Sequence, residues 1–285
     1  MHVINANGLH LPVLGQGGWY IGDDKGTEQQ EIAALRHGIT LGMYLIDTAE
    51  MYGDGRSETL IGKAIKAFRR EEYMLSSKVY PHNAGGARLI KSCEASLKRL
   101  DTDYLDLYLL HWPGSIPLSE TVMGMESLVR AGKIKRWGVS NFDVSDMEAL
   151  LRVPGGEKCA VDQVLYHIGS RGIEFDLIPW LSQRDIAVMA YCPLAQGGTL
   201  RRTSGDMMRN PVLNEVAAKY GITAMQLMLA FTIRRDGVMA IPKSTSVQHI
   251  EQNAAAELLT VDAEDWALLD HVFLPPTAKM HLDIE

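Results

Sequence analysis

Short runs rich in Val, Ile, Leu and Tyr recur along the chain, separated by longer stretches whose apolar residues return every three or four positions. Eight runs read as strands: LPVLGQGGW (11–19), LIDTAEMYG (45–53), YMLSSKVY (73–80), YLDLYLLHWPG (104–114), KRWGVSN (135–141), CAVDQVLYH (159–167), IAVMAYCPL (186–194) and GVMAIPKS (237–244). They are nearly continuous in apolar character, as parallel strands are when both faces of the sheet are covered. The intervening stretches predict helices. Ile32, Leu35 and Ile39 fall on one face behind a Thr27/Gln30 capping box, and Ile90, Cys93, Leu97 and Leu100 repeat that spacing. Residues 194 to 237 hold two helical stretches, one capped by Thr223 with Gln226, so this unit carries an insertion. Asp262 is placed to N-cap a last helix around Trp266, Leu269 and His271.

Residues 1 to 13 predict a short hairpin turning at Asn7-Gly8, positioned to plug the far end of a barrel. Eight strand–helix units in roughly 250 residues match the size of a (β/α)8 TIM barrel. The expected fold is α/β, a TIM barrel with an N-terminal β-hairpin and extra helices. No linker or change of composition interrupts it, so a single domain over residues 1–285 is expected.

Three of the runs end on polar residues about one strand–helix unit apart: Asp47 and Tyr52, Lys78, and His111. In a parallel barrel such positions share one rim. A free phenol is a weak acid, with a pKa of about 10. A Lys78 ammonium beside Tyr52 would favour the phenolate and ease proton donation, while Asp47 keeps the lysine charged and oriented. His111 can hydrogen-bond a substrate oxygen. Together they suit the protonation of an alkoxide as charge develops on a carbonyl oxygen. Each residue alone has an ordinary reading, Asp47 as a helix cap for example; in this order and context the four point to a site. Trp19, Tyr80 and Trp112, at strand ends, are placed to wall a substrate pocket. A metal on Asp47, Glu50 and His111 fits badly, because the lysine and tyrosine stand between them.

Reduction also needs a hydride source. GQGG (15–18) lacks the third glycine of a dinucleotide fingerprint, and there is no GxxxxGK[ST] loop. A cofactor site must be assembled otherwise. Ser140, Asn141 and Gln163 can hydrogen-bond a carboxamide, Tyr191 offers a flat face to a nicotinamide ring, and Lys243, Ser244 and Thr245 precede a helix where phosphate would bind.

The formal charge of −7 argues against a general nucleic-acid or acidic-membrane binder. No apolar run reaches the length of a membrane span, and the N-terminal MHVINANGLHLP does not resemble a signal peptide. Cys93, Cys159 and Cys192 are far apart with no CxxC pair, which suits reduced thiols in the cytoplasm, Cys192 serving as a packing residue.

The motifs together resemble the aldo-keto reductases, in order and over essentially the whole chain: DTAEMYG followed by Ser57-Glu58, then SSK, LLHWP, GVSNF, QVLYH, YCPLAQGG and IPKS. GSRGIEFDLIPW (169–180) and VYPHNAGG (79–86) are similar to the bacterial methylglyoxal-reductase branch. The resemblance implies a barrel that binds NADP(H) along its C-terminal rim, with Tyr52 the acid, Lys78 and Asp47 tuning it, and His111 orienting the carbonyl. It implies that Ser140, Asn141 and Gln163 hold the carboxamide, Tyr191 stacks on the nicotinamide, and Leu194 and Gly197 follow the pyrophosphate. Lys243, Ser244, Thr245, His249 and Asn253 would surround the 2′-phosphate. The chain departs from the family where His249 stands for a frequent arginine, Gln252 for an acid and Cys192 for a common serine.

The expected activity is NADPH-dependent reduction of small aldehydes and ketones, above all 2-oxoaldehydes such as methylglyoxal. A sugar or diketo-acid reductase, or a non-catalytic regulatory barrel that retains the cofactor, are the rival readings. The short stretch between Pro113 and Thr121 and the short tail after Leu274 imply an open pocket. Beyond the small carbonyl substrate no nucleic-acid or membrane partner is expected, and the chain is expected to be a monomer or weak oligomer.

Overall fold

A computed structural model describes residues 1–198 and 207–285. Eight parallel strands follow one another round a sheet: β3 (Gln16–Gly17), β4 (Leu45–Asp47), β5 (Met74–Val79), β6 (Leu105–Leu110), β7 (Ile134–Ser140), β8 (Val161–Leu165), β9 (Ala187–Tyr191) and β10 (Val238–Ala240). Each pairs with its predecessor in parallel. The two ends meet: Leu14 bridges Ala240 in parallel, Gly15 N–H donates to Ala240 O at 2.8 Å, and Ala240 N–H donates to Val13 O at 3.0 Å. The sheet closes as the (β/α)8 barrel expected from the alternation. Helices lie outside, from Glu28–Thr40 after β3 to Val247–Ala255 and Ala263–Val272 after β10. Among the described residues of the insertion before β10 are the helices Pro211–Lys219 and Ala224–Ile233.

The hairpin lies where the sequence put it. β1 (Val3–Ala6) and β2 (Leu9–Pro12) pair antiparallel, and Asn7 and Gly8 both take positive φ, 47° and 77°. That is the turn whose twist matches a two-residue hairpin, and it is why asparagine and glycine occupy it. Ile4, Ala6, Leu9 and Leu11 pack with Leu45, Leu107, Leu109, Val161, Ala187, Met189 and Met239. These strand residues point into the barrel, whereas Ile46, Leu75, Tyr108 and Val188 join the layer beneath the helices. The hairpin therefore caps the N-terminal end and keeps water from the apolar interior. At Gly138 the interior leaves no room for a side chain: an added Cβ would lie 2.4 Å from Val161 O.

Three expectations need correction. Leu11 and Pro12 belong to the hairpin, and the first barrel strand is only Gln16–Gly17, because the closing bonds to Ala240 and Pro242 take up the chain between them. Thr27 stands at the N-cap, but its side chain makes no capping bond; Thr27 Oγ1 instead donates to Asp24 O at 3.0 Å. Asp262 likewise occupies an N-cap position without a side-chain cap. The Thr223/Gln226 capping box forms in full. Among the described residues no single helix is long and apolar enough to cross a membrane.

One carboxyl in the wall has a measurable consequence. Asp162 alternates with the inward Val161 and Gln163 on β8, so it points outward beneath the helices, where it is fully buried and neither oxygen has a hydrogen-bond partner meeting normal geometry. Burial pushes its pKa well above the carboxylate range, opposed only by the Phe142 backbone N–H. The folded chain keeps this proton at pH values where the unfolded chain, with a carboxyl pKa of about 4, has lost it. This group's contribution to stability therefore falls as pH rises from about 4 towards the folded pKa. Asp162→Asn removes the proton linkage while keeping the shape. Its melting temperature relative to the native protein should rise steadily from about pH 4 to pH 7, and thermal unfolding across that range checks it.

Candidate active site

The strands deliver polar groups to the rim opposite the hairpin. On β5 the side chains alternate: Leu75, Ser77 and Val79 face the helices, and Met74, Ser76 and Lys78 face the barrel. β4 pairs so that Asp47 lies opposite Ser76, with the inward Leu45 below Asp47. Apolar residues thus fill the lower interior and ionisable ones the upper. Lys78 is fully buried, and its Nζ donates to Asp47 Oδ2 at 2.6 Å, to Thr48 O at 2.8 Å and to Tyr52 Oη at 3.1 Å. All three ammonium donors are used, which is the condition for holding a buried charge. Burial pulls the lysine pKa down, but Asp47 and the Tyr52 oxygen outweigh it, and the pKa ends raised.

Tyr52 follows β4 in a tight turn in which Gly53, Asp54 and Gly55 all take positive φ. Because Lys78 donates to the phenol oxygen, the phenol proton is not spent on the lysine and is left to the cleft. Tyr52 also corrects the expectation drawn from Lys78. Burial raises its pKa and Asp47 adds to the rise, while Lys78 pulls the other way; the balance lies above 10. The group is a protonated phenol throughout the neutral range, with Lys78 limiting the effect of burial.

His111 follows β6, its ring edge-on to Tyr52 with centroids 5.8 Å apart. Burial first, and the Lys78 charge second, lower its pKa to about 2, so it is neutral. Its Nδ1 is buried without a partner. A buried N–H would be costly there, which favours the tautomer carrying the proton on Nε2, as a donor.

Asp47, Tyr52 and His111 floor a cleft of about 850 Å3 that also takes in Trp19, Ser140, Asn141, Gln163 and Tyr191, with Lys78 buried behind them. The Aldo/keto reductase family model matches residues 13–273. The chain belongs to the aldo/keto reductase family. It is therefore an oxidoreductase, similar at 53% identity to methylglyoxal reductase YeaE of Escherichia coli, across 97% of this chain and 96% of that one. Two solved structures from Klebsiella pneumoniae share the fold throughout. An aldo-keto reductase in complex with NADPH matches at TM-score 0.96 and 50% identity, covering 100% of both chains. An aldo/keto reductase in complex with NADP and acetate matches at TM-score 0.95 and 51% identity, covering 99% of each.

The remainder of this reductase's cleft is built from separate strand ends. Ser140 Oγ donates to Gln163 O at 2.7 Å, Asn141 Nδ2 donates to His111 O at 3.3 Å, and Tyr191 Oη donates to Asn141 Oδ1 at 2.9 Å. Asn141 holds a positive φ of 60°, a conformation asparagine tolerates better than most residues. Leu194 and Gly197 line the cleft farther along, where Ala195, Gln196, Gly197 and Gly198 all take positive φ. At the far end Lys243, Ser244, His249 and Asn253 are lining residues, whereas Thr245 is not. Asn253 is buried and its Nδ2 has no partner, a donor waiting for an acceptor.

Some site residues were not legible in the sequence. Tyr20 stacks on Trp19 with centroids 4.7 Å apart and lines the cleft, as do Met51, Met208 and Met225. Nothing local marks these methionines; they arrive from loops and from the inserted helices. Ser246 caps the helix Val247–Ala255, accepting from His249 N–H at 3.4 Å. Tyr80 and Trp112 pack edge-to-face at 5.9 Å and are not among the cleft's lining residues; Trp112 instead backs the His111 ring at 4.8 Å. Burial pushes the Cys192 thiol up to about 12, which leaves it unreactive in the cleft wall. Among the described residues no group of three or more His, Cys, Asp or Glu could hold a metal ion.

Lys78→Met tests the buried pair. Losing the ammonium leaves the Asp47 charge with only its neutral donors, a change that typically costs about 3–5 kcal/mol. The phenol also loses the one charge pulling its pKa down. Urea unfolding should show the stability loss, and any basic limb in a pH–rate profile of reduction should move to higher pH as the rate falls.

Proposed function

We propose that this aldo/keto reductase reduces small aldehydes, 2-oxoaldehydes such as methylglyoxal, with NADPH, Tyr52 donating the proton. The observation that carries the reading is the chain from Asp47 through Lys78 to Tyr52, ending in a phenol whose proton faces the cleft. When bound, NADPH supplies the hydride to the carbonyl carbon. Tyr52 gives its proton to the carbonyl oxygen as negative charge builds there. An alkoxide is a far stronger base than a phenolate, so the transfer is downhill even with the phenol pKa raised. Lys78 stabilises the phenolate that results, and Asp47 keeps Lys78 charged. His111, neutral, donates from Nε2 to the same oxygen and fixes its direction.

The residues fit the cofactor. Ser140, Asn141 and Gln163 present amide and hydroxyl groups for a carboxamide, and Tyr191, tied at its hydroxyl, presents a ring face. Leu194 and Gly197 would border the pyrophosphate. Lys243, Ser244, His249 and the unpartnered Asn253 Nδ2 would receive the 2′-phosphate, with Thr245 contributing at most from behind. Trp19, with Tyr20, would wall the substrate side. The high identity to a methylglyoxal reductase supports the substrate class. So does the short connection from β6, in which the helix Leu118–Arg130 begins soon after Trp112 and leaves the cleft open.

Tyr52→Phe should lower kcat for methylglyoxal by about 10²–10⁴-fold, the usual share of a general acid. NADPH binding, read by fluorescence quenching, should be nearly unchanged. A panel of 2-oxoaldehydes, sugars and diketo acids, followed by NADPH absorbance, separates the proposed substrate class from the others; full activity of the phenylalanine variant would falsify the assignment of the acid.

His249 generates a second expectation. An arginine brings a permanent charge and a two-pronged donor that a histidine lacks. A hydrogen bond to a charged group contributes about 1.5–3 kcal/mol, roughly ten- to a hundredfold in affinity. His249→Arg should therefore tighten NADPH and leave NADH unchanged. Dissociation constants for both cofactors check it, and no gain from arginine places His249 away from the phosphate.

A further inference from the structure

Asp47 has two carboxylate oxygens with different tasks. Oδ2 accepts from Lys78, while Oδ1 accepts from Ser76 Oγ at 2.9 Å and from Gln163 Nε2 at 2.9 Å. Gln163 lines the cleft and is exposed to whatever binds there. Ser76 is fully buried and lies two residues before Lys78 on the same strand face, beneath the ammonium and opposite Asp47 in the ladder. Of the two donors to Oδ1, its hydroxyl is thus the one that no ligand can reach. Ser77, one residue on, faces the other way and donates to Glu58 Oε1 at 2.6 Å, a carboxylate also held by Arg99. Two consecutive buried serines each serve a buried carboxylate, and only one of those carboxylates touches Lys78.

We propose that Ser76 is a positioning residue for the proton donor. Its hydroxyl holds Asp47 Oδ1 so that Oδ2 is presented to Lys78, and it draws part of the Asp47 charge away from Tyr52. The inference rests on the reading of Tyr52 as the acid. Both consequences of losing the hydroxyl have the same sign. An unclamped Asp47 holds Lys78 less well, and the carboxylate bears more charge toward the phenol; each raises the Tyr52 pKa and makes it a weaker acid.

The experiment compares Ser76→Ala with Ser77→Ala, matched in burial and in the loss of one hydrogen bond to a buried carboxylate. Steady-state kinetics over pH are read with NADPH and methylglyoxal, with NADPH affinity and melting temperature measured alongside. In Ser76→Ala kcat should fall about tenfold and the basic limb should move up by about half to one pH unit, the size expected for one lost hydrogen bond to a charged group. NADPH affinity should change less than about twofold, since the binding surface is intact. Ser76→Thr should restore both kinetic quantities. Ser77→Ala should lower the melting temperature and leave the profile in place. If alanine at position 76 prevents folding, Ser76→Cys, similar in size and a weaker donor, carries the same comparison. A profile for the Ser76 variant that coincides with the native one, or the same shift in both variants, overturns the proposal. Tyr52→Phe separates the two levels. Should it be inactive while Ser76→Ala is native-like, only the positioning role fails; should it be fully active, the acid assignment fails first.

Discussion

The buried ion pair between Lys78 and Asp47 is the interaction around which the upper barrel is arranged. Two charges taken out of water are tolerable only when every donor and lone pair is engaged. That requirement explains why Thr48 O, Tyr52 Oη, Ser76 and Gln163 all converge on the pair. Thr48 and Tyr52 come from the loop after β4, Ser76 from β5 and Gln163 from β8, so satisfying the pair fixes the relative placement of these three strands. The same satisfaction leaves one proton unassigned, on the Tyr52 phenol. The electrostatics leave that proton free for the cleft.

The barrel divides along its axis. Below, Leu45, Leu107, Leu109, Val161 and Met239 meet the hairpin residues Ile4, Ala6, Leu9 and Leu11 and exclude water. Above, Asp47, Ser76, Lys78 and Gln163 form a polar layer, of which Asp47 and Gln163 reach the cleft. The apolar plug matters to the polar layer, because a dry interior strengthens the Asp47–Lys78 attraction and holds His111 neutral. Burial alone would make the phenol a poorer acid, and the ammonium beside it offsets part of that cost.

The cleft is not built on a dinucleotide fingerprint or a GxxxxGK[ST] loop. A parallel barrel makes one unnecessary, since the ends of β7, β8, β9 and β10 bring Asn141, Gln163, Tyr191 and Lys243 to one rim from widely separated parts of the chain. Hydrogen bonds between them, Tyr191 to Asn141 and Ser140 to Gln163 O, set the floor before any ligand arrives. Such preorganisation lowers the ordering cost of binding.

How much of this could be read in advance follows from the range over which each feature is determined. Strand and helix order, the Asn7-Gly8 turn, the Thr223 capping box and the polar residues ending each run are local, so periodicity and residue type reveal them. The order of those polar residues, at the ends of three successive strands, was enough to bring Asp47, Tyr52, Lys78 and His111 to one rim. What the chain order does not contain is the radial and long-range geometry. Whether Tyr80 and Trp112 face the cleft or pack against each other depends on the path of the chain beyond its strand. Met208 and Met225 line the cleft from the short turn Met207–Arg209 and the start of the helix Ala224–Ile233, and Thr27 makes no side-chain cap because its backbone is helical (φ −102°, ψ 0°) rather than extended. The direction of the Tyr52 shift was likewise undecidable in sequence: it is a contest between burial and the Lys78 charge, and burial exists only once the barrel has closed.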